Sequence, residues 1–502
     1  MTRSELELDG LHLTLADLAA CEHGAPRARL SARARERLRA SVAVVEDAVR
    51  AGRTTYGVNT GFGAFANRRI SAAEVMRLQV NLVRSHACGV GPALPAHLVR
   101  QILLLKANAL SAGHSGVRET VVDALLALLE RDVLPRIPLK GSVGASGDLA
   151  PLAHVALALI GEGEAERAGE FLEGSAVCEA AGIPPLELAA KEGLALLNGT
   201  QLSLALAADG LLRAERLLTA AIAIGALTVE GLAGSYTPFD ERIHAVSRMP
   251  GQIEVARRLR DWLTESEIHR SHEQCDRVQD PYAVRCMPQV LGAVHDTLEH
   301  ARSVLAAAIN GVSDNPLVFD PQILSGGNFH AQPIAFVCDF VAIATAEIGS
   351  MSERRTDLLD RRVNPALNMF LTSEPGLESG FMIAHVTAAA LASENKTLAH
   401  PASVDSIPTS AGQEDHVSMA PWAGRKLGEI CGNVSRILAI ELLAAAQAID
   451  CLAPLATTAP LGGLHAFVRE HVPARRSDHR LDRDIEVLAR LIEAGALPRP
   501  RA

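Results

Sequence analysis

Aromatic residues are scarce in this chain: only 3% of its 502 residues are Phe, Trp or Tyr, although 48% are hydrophobic. Sheets are typically rich in β-branched and aromatic side chains, whereas the Ala and Leu that dominate here favour helices. The composition therefore predicts a mainly α fold in which helices carry the hydrophobic core.

The sequence also lacks long basic runs and long apolar runs. The formal net charge is −10, and without a basic tract neither nucleic acid nor an anionic membrane surface is an expected partner. No apolar segment follows the opening Met1–Ser4, and no uninterrupted apolar run reaches about 18 residues, the length that a membrane span needs. We therefore predict no membrane association and a cytoplasmic location.

Metal-ligand spacings are missing as well. The eight cysteines are scattered without a CxxC pair, and the 18 histidines show no HExxH motif. Reduced thiols and no metal site are the expectation.

Apolar residues recur three and four positions apart in several long segments, which predicts helices. These segments are 117–134, 151–159, 194–232, 296–309, 334–350, 381–395, 427–449 and a short amphipathic stretch at 485–497. Gly, Pro and polar residues predict loops between them. The predicted loops are 53–67, 140–148, 314–330 and 374–380, and 467–484 is expected to be a solvated connector.

The loop at 140–148 contains the triplet Ala145-Ser146-Gly147. Because Gly147 has no Cβ, its amide nitrogen can approach the Ala145 carbonyl carbon closely enough for ring closure. Loss of water from the ring and loss of the Ser146 hydroxyl would leave a methylene group conjugated with a carbonyl. Such a group is an electrophile that no ordinary side chain supplies.

A helix is expected to begin directly after this triplet. Asp148 is a favourable N-cap residue and Pro151 suits the first helical turn. The positive end of that helix would favour negative charge developing at the triplet.

Motifs along most of the chain, from about Leu11 to Ile492, resemble the aromatic amino acid ammonia-lyase family. The matching blocks are YGVNTGFG (56–63), NLVRSHACGVG (81–91), the triplet loop, KEGLALLNGTQ (191–201), VQDPYAVRCMPQV, SDNPLVF, GGNFHAQP, SERR, FMIAHVTAAALASENK and QEDHVSMAPWAGRK. Within the family the resemblance is greatest to the histidine-specific members.

The resemblance implies a fold and an assembly. We expect a long-helix bundle of the fumarase/aspartase-like ammonia-lyase type, assembled as a homotetramer whose active sites combine residues from different subunits. The chain would form one catalytic domain. Its expected parts are a prosthetic-group-bearing part at about 1–200, a central long-helix bundle at about 201–455 and a peripheral segment at about 456–502.

The resemblance also implies a self-made prosthetic group, 4-methylidene-imidazol-5-one (MIO), formed from Ala145, Ser146 and Gly147, with no exogenous cofactor. Elimination of ammonia further needs a base and a carboxylate clamp. The family implies Tyr56 as the base, with Tyr282 supporting proton handling, and Arg285 as the clamp. The remaining residues of the implied shell are Asn198, Gln279, Asn315 and Phe329.

Substrate choice is expected to depend on His86 and Glu414. A buried imidazole needs hydrogen-bond partners, and tyrosine and phenylalanine enzymes of the family generally carry Gln in place of this Glu. His86 alone does not discriminate, because tyrosine-specific members also use a His there. Met287 departs from the Gln found in many histidine enzymes.

The implied reaction converts L-histidine to trans-urocanate and ammonia, the first step of histidine catabolism. Either the amine or the imidazole of the substrate could add to the prosthetic group, and both alternatives stay open. Glu414 could orient the imidazole or take part in proton transfer. Three alternatives remain: a tyrosine or phenylalanine ammonia-lyase, an MIO aminomutase and a non-catalytic helical scaffold.

Overall fold

The computed structural model describes residues 5–61, 65, 68–71, 74–273, 277–475 and 477–500. The end of the YGVNTGFG motif, Phe62 and Gly63, and one cysteine, Cys275, lie outside the described residues. The described part is mainly helical, as the composition predicted.

The chain divides into two compact units. The first comprises Met1–Asp209, Arg302–Cys338 and Pro401–Arg425, and the second comprises Gly210–Ala301, Asp339–His400 and Lys426–Ala502. The single catalytic domain with three parts stays a prediction.

Short and medium helices dominate the N-terminal part of the chain. They are α1 (Leu15–Ala20), α2 (Ala32–Arg50), α3 (Val75–His86), α4 (Ala96–Ser111), α5 (Glu119–Glu130), α6 (Leu149–Leu159), α7 (Ser175–Ala181) and α8 (Glu192–Leu197). Local sequence sets several starts: Thr14 and Asp17 form a capping box at α1, and the Ser31 hydroxyl accepts from the Ala34 N–H at α2.

Within the described residues, four helices of more than 20 residues follow, with shorter ones between them. In order they are α9 (Gln201–Gly231), α10 (Glu241–Ser247), α11 (Pro250–Trp262), α12 (Glu267–Ser271), α13 (Tyr282–Arg285), α14 (Met287–Ile309), α15 (Gln332–Asp360), α16 (Met382–Leu398), α17 (Ala420–Cys451), α18 (Ala459–His471) and α19 (Asp482–Glu493).

The strands are short. They are β1 (Leu6–Leu8), β2 (Ala28–Leu30), β3 (Val90–Ala93), β4 (Leu134–Pro135), β5 (Pro138–Lys140), β6 (Glu164–Arg167), β7 (Glu170–Glu173), β8 (Leu317–Phe319) and β9 (Gln322–Leu324). The pair β1–β2 is parallel, whereas β3–β5, β4–β6–β7 and β8–β9 are antiparallel.

Some predicted boundaries were wrong. The run predicted at 194–232 is two helices, because the chain leaves the helical conformation at Asn198–Thr200 between α8 and α9. The predicted loop 314–330 contains the hairpin β8–β9, and α18 extends into the predicted connector 467–484.

Helix α15 is long and apolar enough to cross a membrane by length and composition, with a window of mean hydropathy 1.7. However, 67% of that window is buried inside the molecule. Core helices of soluble proteins meet the same criterion, so the finding is weak evidence for a span.

In the first unit, α3, α6 and α8 pack against one another. Their ends carry three of the predicted site elements: His86 ends α3, the triplet precedes α6, and Asn198 follows α8. The packing of these three helices therefore positions the candidate site.

Candidate functional site

Gly147 is pressed against the turn that follows α8. It has φ +71°, forms a parallel bridge with Gly199, and a Cβ at this position would clash with the Gly199 carbonyl group. The Asp148 N–H donates to the same carbonyl at 2.7 Å. Only glycine fits here, which is the condition that ring closure of the triplet sets.

Asn198 binds the centre of the triplet. Its Nδ2 donates to the Ser146 carbonyl at 2.7 Å and to Ser146 Oγ at 3.1 Å. Its Oδ1 is buried without a hydrogen-bond partner among the described residues. Ala145 and Gly147 are buried while Ser146 is half-buried, so the reactive position of the triplet is the accessible one.

Asp148 has a different role from the predicted one. It stands at the N-cap position of α6, but its side chain makes no capping bond. Its carboxylate accepts instead from the Ser203 N–H (2.8 Å), Ser203 Oγ (2.9 Å) and Ser142 Oγ (3.1 Å). Burial raises the pKa of Asp148 to about 6, and these hydrogen bonds act in the opposite direction.

The segment that carries Glu414 is joined to the triplet loop. Ser418 Oγ donates to the Gly144 carbonyl at 2.9 Å, and the Met419 N–H donates to the Val143 carbonyl at 2.8 Å. Glu414 itself accepts from the Thr409 hydroxyl at 2.6 Å. Sequence analysis missed Ser418, because a serine in a loop carries no signal of a partner 274 residues away.

His86 lies within electrostatic reach of Glu414. Burial lowers the pKa of His86, while its bond to the Leu82 carbonyl and the charge of Glu414 oppose that shift. His86 Nδ1 lies 2.9 Å from the Leu82 carbonyl, which can only accept, so Nδ1 carries the proton. The neutral ring then has its Nε2 as an acceptor.

The loop of Tyr56 packs on the helix that precedes Asn198. A Cβ on the adjacent Gly57, which has φ +71°, would clash with the Leu194 side chain and lie 3.1 Å from Pro316. Tyr56 is half-buried. This packing also places Asn315, whose Oδ1 accepts from the Gly326 N–H at 2.7 Å, beside the Tyr56 loop.

Phe329 is half-buried on a segment that contacts the Glu414 segment. The adjacent His330 donates from Nε2 to the His416 carbonyl at 3.1 Å, and the two imidazole rings are stacked with centroids 5.6 Å apart. Thus the first unit brings together the segments of seven predicted positions around one loop. These positions are Tyr56, His86, the triplet counted as one, Asn198, Asn315, Phe329 and Glu414. Ser418, which was not predicted, belongs to the same group.

Gln279, Tyr282 and Arg285 belong to the second unit. Gln279 and Tyr282 are exposed, and the Arg285 guanidinium lies over the Tyr282 ring at 4.6 Å. Arg285 Nε is buried without a hydrogen-bond partner among the described residues. That these three meet the triplet stays a prediction.

Groups of three or more His, Cys, Asp or Glu that could hold a metal ion do not occur in the described ranges. The residues around the triplet fit a prosthetic group made from the chain itself. Gly199 leaves no room for a Cβ at Gly147, and Asn198 donates a hydrogen bond to Ser146.

Comparison with known proteins gives a consistent result. A histidine ammonia-lyase of Idiomarina loihiensis is 52% identical over 98% of this chain and 97% of its own length. The crystal structure of a histidine ammonia-lyase from Trypanosoma cruzi has a TM-score of 0.91 at 40% identity, covering 98% of this chain and 94% of that one. A tyrosine aminomutase from Streptomyces globisporus has a TM-score of 0.92 at 36% identity, covering 98% and 97%.

The family model described as aromatic amino acid lyase matches residues 13–470. Since this match spans most of the chain, and the relatives extend it to nearly the full length, the chain belongs to the aromatic amino acid lyase family.

Proposed function

We propose that this chain is a histidine ammonia-lyase that converts L-histidine to trans-urocanate and ammonia in histidine catabolism. The observation that carries the proposal is that His86 lies within electrostatic reach of Glu414, whose segment is bound to the triplet loop. The name of the Idiomarina loihiensis relative, at 52% identity, supports the same substrate.

The MIO group formed from Ala145, Ser146 and Gly147 supplies the electrophile that activates the substrate for loss of ammonia. Its formation releases two water molecules and needs no oxidant or exogenous cofactor. Asn198 holds Ser146 through two hydrogen bonds. The N-terminus of α6 favours negative charge at the same place.

The substrate is held at both ends. Arg285 binds the carboxylate, for which its orphaned Nε is available. The neutral His86 offers Nε2 as an acceptor for an imidazole N–H, and the Glu414 carboxylate orients the ring or shares a proton with it. A phenol would leave part of this hydrogen-bonding capacity unused, which favours histidine.

Tyr56 takes the β-proton and Tyr282 supports proton handling. Gln279, Asn315 and Phe329 complete the shell around the substrate. Activity in this scheme survives exhaustive chelation, because no step uses a metal.

The enzyme works as a cytoplasmic homotetramer with active sites shared between subunits. The support for assembly is an apolar patch on α16, where Ile383 is 62% and Val386 is 55% exposed.

The test is to incubate the purified protein separately with L-histidine, L-tyrosine and L-phenylalanine while following conjugated acrylate by ultraviolet absorbance and ammonia release. Urocanate and ammonia from histidine alone are expected. Coumarate or cinnamate would replace the proposal with a tyrosine or phenylalanine lyase. A β-amino acid would indicate an aminomutase, the activity named for the Streptomyces globisporus neighbour.

Ser146→Ala is the matched variant, because it removes only one hydroxyl. Turnover should vanish while the unfolding transition stays in place. A fully active Ser146→Ala protein would contradict the role of the triplet. If the unmutated protein forms no product from any of the three amino acids, the result would favour a non-catalytic scaffold.

A further inference from the structure

A lysine is buried in the middle of the apolar helix α4. Nearly every residue of this helix from Leu98 onward is buried, and Lys106 is only 2% exposed. Burying an ammonium group is costly unless it is hydrogen-bonded or paired. The hydrogen bonds of Lys106 must therefore offset the free-energy cost of burying its ammonium group.

Lys106 binds the turn between α8 and α9. Its Nζ donates to the main-chain carbonyl of Asn198 at 2.7 Å and lies 3.4 Å from Gln201 Oε1. A hydrogen bond from a charged donor is among the stronger ones in proteins. This hydrogen bond holds the turn at Asn198, where the chain leaves the helical conformation between α8 and α9.

The opposite side of that turn contacts the triplet twice. The Asn198 side chain binds Ser146, and Gly199 is paired with Gly147 and accepts from the Asp148 N–H. A shift of the Asn198 carbonyl would thus move both contacts together.

The other charged groups around Lys106 are engaged elsewhere. The Asp314 carboxylate pairs with the buried Lys191 at 2.5 Å, and the Asp148 carboxylate accepts from Ser203 and Ser142. Burial lowers the pKa of Lys106 to about 7; the charges of Asp314 and Asp148 oppose this shift and that of Lys191 adds to it. The direct partner of Lys106 is therefore the turn.

We propose that Lys106 is a positioning residue for the cyclisation of the triplet, acting through the Asn198–Gly199 turn. The inference rests on the proposed function, because it requires the triplet to cyclise. A bond forms between Gly147 N and the Ala145 carbonyl carbon. The Ala145 oxygen leaves as water with the protons of Gly147 N and Ser146 N, and Ser146 then loses its hydroxyl and Cα proton as a second water.

The experiment replaces Lys106 by Met, which keeps the length and removes the donor. Lys426→Met is the control for loss of a buried ammonium group away from the Asn198 turn, because Lys426 is 1% exposed and donates to the His400 carbonyl at 2.6 Å. Unlike Lys106, Lys426 also forms an ion pair with Asp339 at 2.6 Å, so its replacement is the more disruptive of the two. The readout is the mass of the triplet peptide, which reports the loss of two waters, together with the ultraviolet difference spectrum. Unfolding by urea is recorded for both variants.

We expect the unmutated chain and Lys426→Met to be fully processed, and Lys106→Met to contain at least about tenfold less processed triplet, the factor that a lost hydrogen bond to a charged group supports. Complete processing in a folded Lys106→Met protein would overturn the inference. An unprocessed triplet in the unmutated chain would instead overturn the proposed function.

Lys106→Leu decides the case in which Lys106→Met does not fold. Leu has no donor and suits the interior of the apolar helix α4. Reduced processing in the folded Leu variant supports the positioning role, whereas processing equal to that of the unmutated chain refutes it.

Discussion

Individual residues around the triplet have distinct electrostatic tasks. Burial lowers the pKa of Lys106 to about 7 and raises the pKa of Asp148 to about 6. His86 is neutral because burial lowers its pKa. The sequence identified His86 by motif, but its protonation follows from its surroundings in the fold.

Glu414→Gln should reduce kcat/KM for L-histidine by about 100-fold, the range of a lost acid–base or orienting group. The amide of Gln carries no negative charge, and only its oxygen, not its nitrogen, can accept a hydrogen bond. Steady-state kinetics with L-histidine and L-tyrosine measure the effect and any gain with the phenol. Glu470→Gln, an exposed position on α18, serves as the control; equal kinetics in the two variants would remove Glu414 from the site.

Arg285→Lys should raise KM for L-histidine by about tenfold, because an ammonium cannot reproduce the planar two-donor contact with a carboxylate. The comparison is with Arg480→Lys, an exposed arginine that pairs with Asp482. A KM that stays at the unmutated value would show that Arg285 does not hold the carboxylate.

At the scale of secondary-structure elements, periodicity located the helices but not their ends. The predicted helix 296–309 begins nine residues earlier, at Met287, and the predicted 334–350 extends to Asp360. The break at Asn198–Thr200 was missed, because its cause is contact with Lys106 and Ser146 rather than a local breaker alone.

Asp360, at the end of α15, makes stability depend on pH. Both carboxylate oxygens are buried without a hydrogen-bond partner among the described residues, and burial raises the pKa from 3.8 to about 7. The folded protein therefore keeps this proton up to about pH 7, whereas the unfolded chain releases it near pH 4. Its stabilising contribution is complete below pH 4 and is lost as pH rises to 7.

Asp360→Asn should thus become more stable than the unmutated protein as pH rises from 4 to 7, by up to about 4 kcal/mol, with no further change above that range. Urea unfolding at a series of pH values measures the difference. The exposed Asp320→Asn should show a flat difference; the same flat result for Asp360→Asn would mean that its carboxyl titrates normally.

For the whole molecule, the predicted mainly α architecture is confirmed, and the family membership rests on a match that spans residues 13–470. The arrangement of four chains is a proposal that the exposed apolar side chains of α16 make testable.

Light scattering should give the mass of four chains for the unmutated protein and a smaller species for Ile383→Glu, because a charge in an apolar contact is left without water or a partner. Activity should fall with the mass if sites are shared between subunits. Lys396→Glu changes an exposed position on a different face of α16 and should leave the tetramer intact. A tetramer that persists in Ile383→Glu would place the interface elsewhere.

The sequence by itself determined the helical class, the chemistry of the Ala145–Gly147 triplet and the types of residue that serve it, because composition, periodicity and motif are local properties. Only the tertiary structure decided that Gly199 confines Gly147, that Ser418 ties the Glu414 segment to the triplet loop, and that Lys106 holds the Asn198 turn. These contacts join residues that are 52 to 274 positions apart, where no short-range pattern can reveal them.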